Sequence, residues 1–197
     1  AAEAADQIGD SVVLKISSPD ILHKSDAKGV MLNLQGKEQV KKAFREIVSN
    51  AKKYKADAQI EGVLVSPMAP KGIEVIIGTK IDDQFGPVIM YGLGGVLVEI
   101  LKDVSFRVLP ISRRSAQKMI AETKSHPILD GVRGEQAYDK KALVSLLLTC
   151  SEIIEAYPQI REMDLNPVIV HREGLSIVDA RILLQPDDDI GTGGSPA

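Results

Sequence analysis

Apolar residues along this chain follow two rhythms. Short apolar runs predict strands: Val12-Val13-Leu14 ending in Lys15, then Val30–Leu34, 62–68, 73–81, 87–91, 96–101 and 103–109. Between the second and third runs, Val40, Ala43, Phe44, Ile47, Val48 and Ala51 recur at helical spacing, which predicts an amphipathic helix over 37–53. Ser112 is placed to cap a short helix ending near Glu122. Asp139 is placed to cap a longer one, with Leu143, Leu146, Leu147, Cys150, Ile153 and Ile154 along its stripe. Two closing strands flank His171-Arg172-Glu173-Gly174, and Ala69-Pro70-Lys71-Gly72 reads as a turn. Strands outnumber helices and come in consecutive pairs, the pattern of an α+β fold with antiparallel sheets. No internal repeat is present.

Composition narrows the function classes. The chain has 197 residues, a net charge of −3 from 24 basic and 27 acidic residues, 4% aromatics and no Trp. The two signs are interspersed, so neither a phosphate-tracking stripe nor a base-stacking platform is available, and no nucleic-acid partner is expected. No apolar run reaches the roughly 20 residues of a membrane span, so no membrane association is expected. A single cysteine, Cys150, excludes an internal disulfide and falls in an apolar helical stripe, where a reduced core thiol is expected. The expected compartment is the cytoplasm. Ala1 to Gly9 reads as the end of a helix with no starting Met, so a preceding segment is expected outside this chain. Residues 185–197 are polar and Gly-rich and read as a disordered tail.

Two stretches carry candidate chemistry. Lys15 ends the first buried run and delivers one cation to the polar loop that follows, Ser17 to Gly29, which holds His23. Backbone N–H groups and a lysine can converge on phosphate there, and an imidazole nitrogen can accept a phosphoryl group. The alternative is a surface loop with a solvated histidine. The second stretch is the closing hairpin. A turn centred on Arg172-Glu173 sets Asn166 opposite Asp179, on one face with Val168, Val170, Leu175 and Ile177. Two oxygen-bearing side chains on an apolar face suit magnesium, which prefers hard oxygen ligands. The alternative is that both residues cap strand ends around Pro167.

Three runs resemble a known family: Ser18-Pro19-Asp20-Ile21-Leu22-His23-Lys24-Ser25-Asp26, Gln84-Phe85-Gly86-Pro87-Val88-Ile89-Met90-Tyr91-Gly92-Leu93-Gly94-Gly95, and Asp164-Leu165-Asn166-Pro167 with Val178-Asp179-Ala180. With these, residues 1–184 resemble the ATP-grasp domain of ADP-forming acyl-CoA synthetases, relatives of the succinyl-CoA synthetase β subunit. The resemblance implies two lobes with antiparallel sheets and the nucleotide between them. It divides the chain into a small lobe, 1–65, and a large lobe, 66–184. It implies ATP or ADP and Mg²⁺ as cofactors. Lys15 matches the lysine on the nucleotide phosphates, and Val65, Ser66, Pro67 and Met68 match the hinge that reads adenine. Glu74 matches the acidic residue near the ribose, and Asn166 and Asp179 match the magnesium ligands. His23 matches the histidine that carries the phosphoryl group, and Arg107 matches a position that neutralises it.

The implied partner is a CoA-binding α subunit or domain, separate or fused, so a hetero-oligomer or a larger fused chain is expected. Two other readings share parts of this set. One is a regulatory ATP-grasp module associated with an acetyltransferase. The other is a carboxylate–amine ligase, which has no use for His23. The chain departs from the family pattern at Lys28, where glycine is usual, and in lacking the helix-and-strand segment that normally comes first. That segment is where a second phosphate-binding lysine is expected.

Overall fold

A computed structural model describes residues 1–94, 102–131 and 136–185. The chain divides into two compact units, Ala1–Met68 and Ala69–Ala197. The expected break after residue 65 falls inside a strand that runs to Pro67, so the first unit extends three residues further. Cooperative hydrogen bonding to a neighbouring strand carries those residues with the first sheet.

The first unit contains α1 (Ala2–Ile8), β1 (Val12–Ser17), β2 (Val30–Leu34), α2 (Gly36–Tyr54) and β3 (Gly62–Pro67). Its strands form one antiparallel sheet in the order β2-β1-β3. Gly9 ends α1 at φ +84°, and its N–H reaches the Ala5 carbonyl at 3.1 Å, the left-handed cap that glycine tolerates best. On α2 the buried positions are Val40, Ala43, Ile47 and Ala51, with Phe44 exposed at the stripe's edge. This stripe packs on Val12, Leu14 and Ile16 of β1. Burial of each large aliphatic side chain contributes about 1.5–3 kcal/mol. Because strand side chains alternate, Val13 and Lys15 occupy the face turned from α2.

The second unit contains β4 (Ile73–Asp82), β5 (Gly86–Leu93), β6 (Val104–Val108), α3 (Arg113–Glu122), a 3-10 turn (His126–Asp130), α4 (Lys140–Ala156), β7 (Ile160–Val170), β8 (Leu175–Ile177) and β9 (Ala180–Leu184). The antiparallel sheet runs β6-β5-β4-β7, and β8 and β9 share the outer edge of β7. The closing pair is therefore a long strand facing two short ones. Both expected caps form: Ser112 Oγ accepts from the Ser115 N–H at 3.2 Å, and Asp139 Oδ1 from the Ala142 N–H at 2.9 Å. Leu143, Leu147, Cys150 and Ile154 of α4 are buried against Ile77, Tyr91 and Leu165 of the sheet. Burial pushes the Cys150 thiol up to about 12, which leaves it un-ionised. No helix among the described residues is long and apolar enough to cross a membrane. The strand expected over 96–101 and the tail over 186–197 lie outside the described residues.

Candidate functional site

In the first unit the sheet and one loop present the candidate groups. Lys15 is 7% exposed in mid-strand, between Val30 of β2 and Leu64 of β3. The loop that leaves β1 returns at Val30, directly opposite Lys15. Two apolar side chains hold this loop down, Ile21 at 2% and Ala27 at 3% exposure, both packed in the core under α2. Between them His23 is exposed.

Backbone bonds tighten the loop's descending arm. The Lys28 N–H reaches the Ser25 carbonyl at 2.9 Å, the Gly29 N–H reaches the Lys24 carbonyl at 2.8 Å, and the Ile16 N–H reaches the Gly29 carbonyl at 2.8 Å. A Cβ on Gly29 would come within 2.6 Å of Ile16 Cγ2, so only glycine fits without a shift. Lys28 sits at φ +47°, a conformation that favours glycine. The family's usual glycine there thus has a backbone reason, and the lysine is held at some cost.

Val65, Ser66 and Pro67 lie within β3, and the Met68 N–H continues the pattern to the Ser11 carbonyl at 2.9 Å. Among the described residues β3 pairs only with β1, so its other edge offers backbone donors and acceptors.

In the second unit one face of the sheet is covered by α3 and α4, and the other carries the polar groups. Val75 and Ile77 of β4 pair with Val168 and Leu165 of β7. Thus one residue of β4, Ile76, stands opposite two of β7, Asn166 and Pro167. This is a β-bulge, at a residue that cannot donate to the ladder. The expected opposition of Asn166 and Asp179 is present, with the Asn166 N–H on the Asp179 carbonyl at 3.1 Å.

The expected face is corrected. Val168 and Val170 are fully buried toward the helices, whereas Asn166 is exposed. The extra residue in the bulge shifts the alternation, so Asn166 shares the open face with Ile76 and with Asp164, two residues before it. Asp164 pairs with Gly78 on one side and Arg181 on the other. Asp164 is the residue that sequence reasoning missed. Its signal was the period of two back from Asn166 within the quoted motif.

Glu74 is exposed on this open face, beside Ile169. The Gly94 N–H reaches its carbonyl at 2.7 Å, and a Cβ on Gly94 would meet Glu74 Cβ at 2.8 Å. The glycine cluster therefore begins as a close strand contact, while Gly95 lies outside the described residues.

Within the second unit, Arg107 does not share the open face with Glu74, Asp164 and Asn166. It pairs with Ile89 on the helix-covered side, and its Nη2 donates to Glu122 Oε2 of α3 at 2.6 Å. Among the described residues no cluster of three or more His, Cys, Asp or Glu side chains is placed to hold a metal. The donors Asn166, Asp179 and Asp164 are hard oxygen ligands, the set that suits magnesium with water and phosphate oxygens completing its shell.

The ATP-grasp domain family matches residues 1–184. The chain is 54% identical over 184 residues to the β subunit of ADP-forming acetate–CoA ligase II of Pyrococcus furiosus, covering 92% of this chain and 78% of that subunit. It superposes with a TM-score of 0.89 and 49% identity on a dinucleotide-forming acetyl-coenzyme A synthetase 1 of Ca. Korarchaeum cryptofilum solved with coenzyme A and Ca-AMPCP, covering 94% of this chain and 81% of that one. A second structure of that enzyme holds coenzyme A and Mg-AMPPCP, with its phosphohistidine segment pointing towards the nucleotide binding site. It matches with a TM-score of 0.79 and 45% identity, over 94% of this chain and 81% of that one. Over residues 1–184 this chain belongs to the ATP-grasp family, in the branch that contains the β subunits of ADP-forming acetate–CoA ligases.

Proposed function

We propose that this chain is the nucleotide-binding, phosphoryl-transfer part of an ADP-forming acyl-CoA synthetase, which converts acyl-CoA, ADP and phosphate to acid, CoA and ATP. It works with a CoA-binding α subunit or domain. The observation that carries the reading is the exposed imidazole of His23, held between two buried anchors on the loop that returns beside the buried Lys15. A carboxylate–amine ligase has no use for such a histidine, and its presence together with Asn166 and Asp179 argues against a silent sensing module.

Each group has a physical role. Lys15 supplies a fixed positive charge for nucleotide phosphates, most effective where water is excluded. The outer edge of β3 at Val65–Met68 offers main-chain groups for adenine, and Glu74 accepts from ribose hydroxyls. Asn166 and Asp179, with Asp164 beside them, hold Mg²⁺. When bound, that ion neutralises phosphate charge. In the relay that the family resemblance implies, a histidine of the CoA-binding unit is phosphorylated first, and a ring nitrogen of His23 forms an N–P bond as the phosphoryl group's bond to that first histidine breaks. An oxygen of the ADP β-phosphate then attacks, the N–P bond breaks, and His23 leaves with its electron pair restored. Arg107 stays outside this scheme and ties α3 to the sheet through Glu122.

The test is phosphohistidine detection on the complete enzyme with Mg²⁺ and γ-labelled ATP. Acid-labile, base-stable label mapped to His23 is the expected result. Absence of label with nucleotide bound would overturn the relay and favour a direct ligase or a sensing module.

A further inference from the structure

The loop that carries His23 has a polar tether three residues before the imidazole. Asp20 Oδ1 accepts from Lys55 Nζ at 2.7 Å, and Asp20 Oδ2 accepts from the Gln59 N–H at 2.7 Å. Its own N–H donates to Ser18 Oγ at 3.2 Å. Lys55 follows the last residue of α2, and Gln59 lies in the connection to β3, so one carboxylate joins the rising arm of the loop to two points of the scaffold. The hydrogen bond from Lys55, then that from the Gln59 amide, hold the Asp20 carboxyl below its usual range. The descending arm has a matching tether, Asn50 Nδ2 on the Lys28 carbonyl at 3.2 Å. Only Ile21, buried in the core, and Leu22 separate Asp20 from His23.

We infer that Asp20 is a positioning residue for His23, fixing the imidazole for phosphoryl transfer through its joint hold on Lys55 and the Gln59 amide. The inference rests on the phosphohistidine reading above. In-line transfer demands near-attack geometry, and a displacement of about 1 Å can cost on the order of 10²-fold in rate. Asp20 touches no reacting atom, so its removal affects the transfer step and spares nucleotide binding.

The experiment uses the complete enzyme and compares Asp20→Ala, Asp20→Asn and Lys55→Met. Single-turnover labelling of His23 is expected to slow about 10- to 100-fold in Asp20→Ala. Lys55→Met leaves the Gln59 N–H donating to the Asp20 carboxylate, and Asp20→Asn keeps one side-chain oxygen to accept from Gln59 or Lys55, so both are expected to fall between Asp20→Ala and wild type. The ADP KM is expected to stay within about twofold in all three, since the removed contact acts in the transfer step. Labelling of Asp20→Ala within twofold of wild type would overturn the inference, as would a parallel loss of ADP affinity. Should Asp20→Ala fail to fold, Asp20→Asn and Lys55→Met decide by the same split.

A second readout separates this inference from the relay itself. Hydrogen exchange at the Lys28 and Gly29 amides, which bond to the Ser25 and Lys24 carbonyls, is expected to quicken at least about tenfold in Asp20→Ala. If wild-type His23 takes no label, the relay fails, and unchanged exchange at these amides overturns the positioning role separately.

Discussion

The His23 loop and the Asn166–Asp179 hairpin hold their chemistry in place by different means. The loop has no ladder of its own, and contacts with distant parts of the chain fix it: Ile21 and Ala27 in the core, Asp20 on Lys55, Asn50 on the Lys28 carbonyl. The hairpin is fixed by backbone register. Val168 pairs with Ile177 and Leu165 with Ala180, so Asn166 and Asp179 face each other whatever their own side chains do. In the proposed relay, the group that accepts and releases a phosphoryl moiety sits on a loop held by a few side-chain contacts. The groups proposed to supply only oxygen donors sit on a sheet. The difference predicts where substitutions are tolerated.

The largest effect falls on the loop's apex. His23→Ala is expected to abolish acid-labile label while leaving the ADP dissociation constant within about threefold, because the ring acts only in the chemistry. Lost ADP binding in that variant would make His23 structural. On the hairpin, Asp179→Asn keeps the register but removes a charge from the donor set. The Mg²⁺ concentration for half-maximal ADP binding should rise about tenfold, and an unchanged magnesium dependence would refute the hairpin as a cation site.

Two glycines compare the frameworks themselves. A Cβ on Gly72 would come 2.3 Å from the Val170 carbonyl oxygen, a backbone atom that cannot turn aside. Gly72→Ala should therefore cost about 3 kcal/mol, whereas Gly29→Ala, which presses mainly on the Ile16 side chain, should cost about 1 kcal/mol. Thermal denaturation that ranks them the other way would break the comparison. Lys28→Gly should stabilise the loop by about 0.5 kcal/mol, since it relieves a left-handed lysine but adds chain entropy to the unfolded state.

The smallest effect concerns acid. Hydrogen bonds from the Ala142 amide, then the Gly174 amide, hold Asp139 below its usual 3.8, linking α4 to the hairpin turn. A carboxyl lowered in the folded state contributes fully above its unfolded pKa, and that contribution fades as pH falls through the folded value. Asp139→Asn should therefore flatten the loss of stability between about pH 5 and pH 2, as followed by acid titration of the circular dichroism signal.

Much of this was legible in one dimension. The α2 and α4 stripes, the Ser112 and Asp139 caps and the glycine end of α1 are local, set by side-chain periodicity and by the first and last turns of a helix. The pairing of Asn166 with Asp179 was legible too, because a short turn fixes the register of both its arms. The surroundings of Arg107 were not legible in its own strand. Val104, Phe106 and Val108 alternate like an inward face, yet Phe106 and Val108 are more than half exposed, while Ser105 and Arg107 face the helices. Ser105 Oγ on the Met119 carbonyl at 2.8 Å and Arg107 on Glu122 satisfy that polar side, and neither partner can be read from the strand alone.

By itself, then, the sequence determined the elements, the antiparallel class and the family to which the motifs belong. Tertiary structure alone decided which face each candidate residue occupies and what holds His23 in place. The reason is physical. One extra residue opposite Ile76 reverses the alternation that a strand pattern assumes, and the Asp20 contacts join residues 35 and 39 positions apart. Pro167 marks a place where the ladder can break, but which face follows it, like the Asp20 contacts, is settled only when strands and helices from distant parts of the chain pack together.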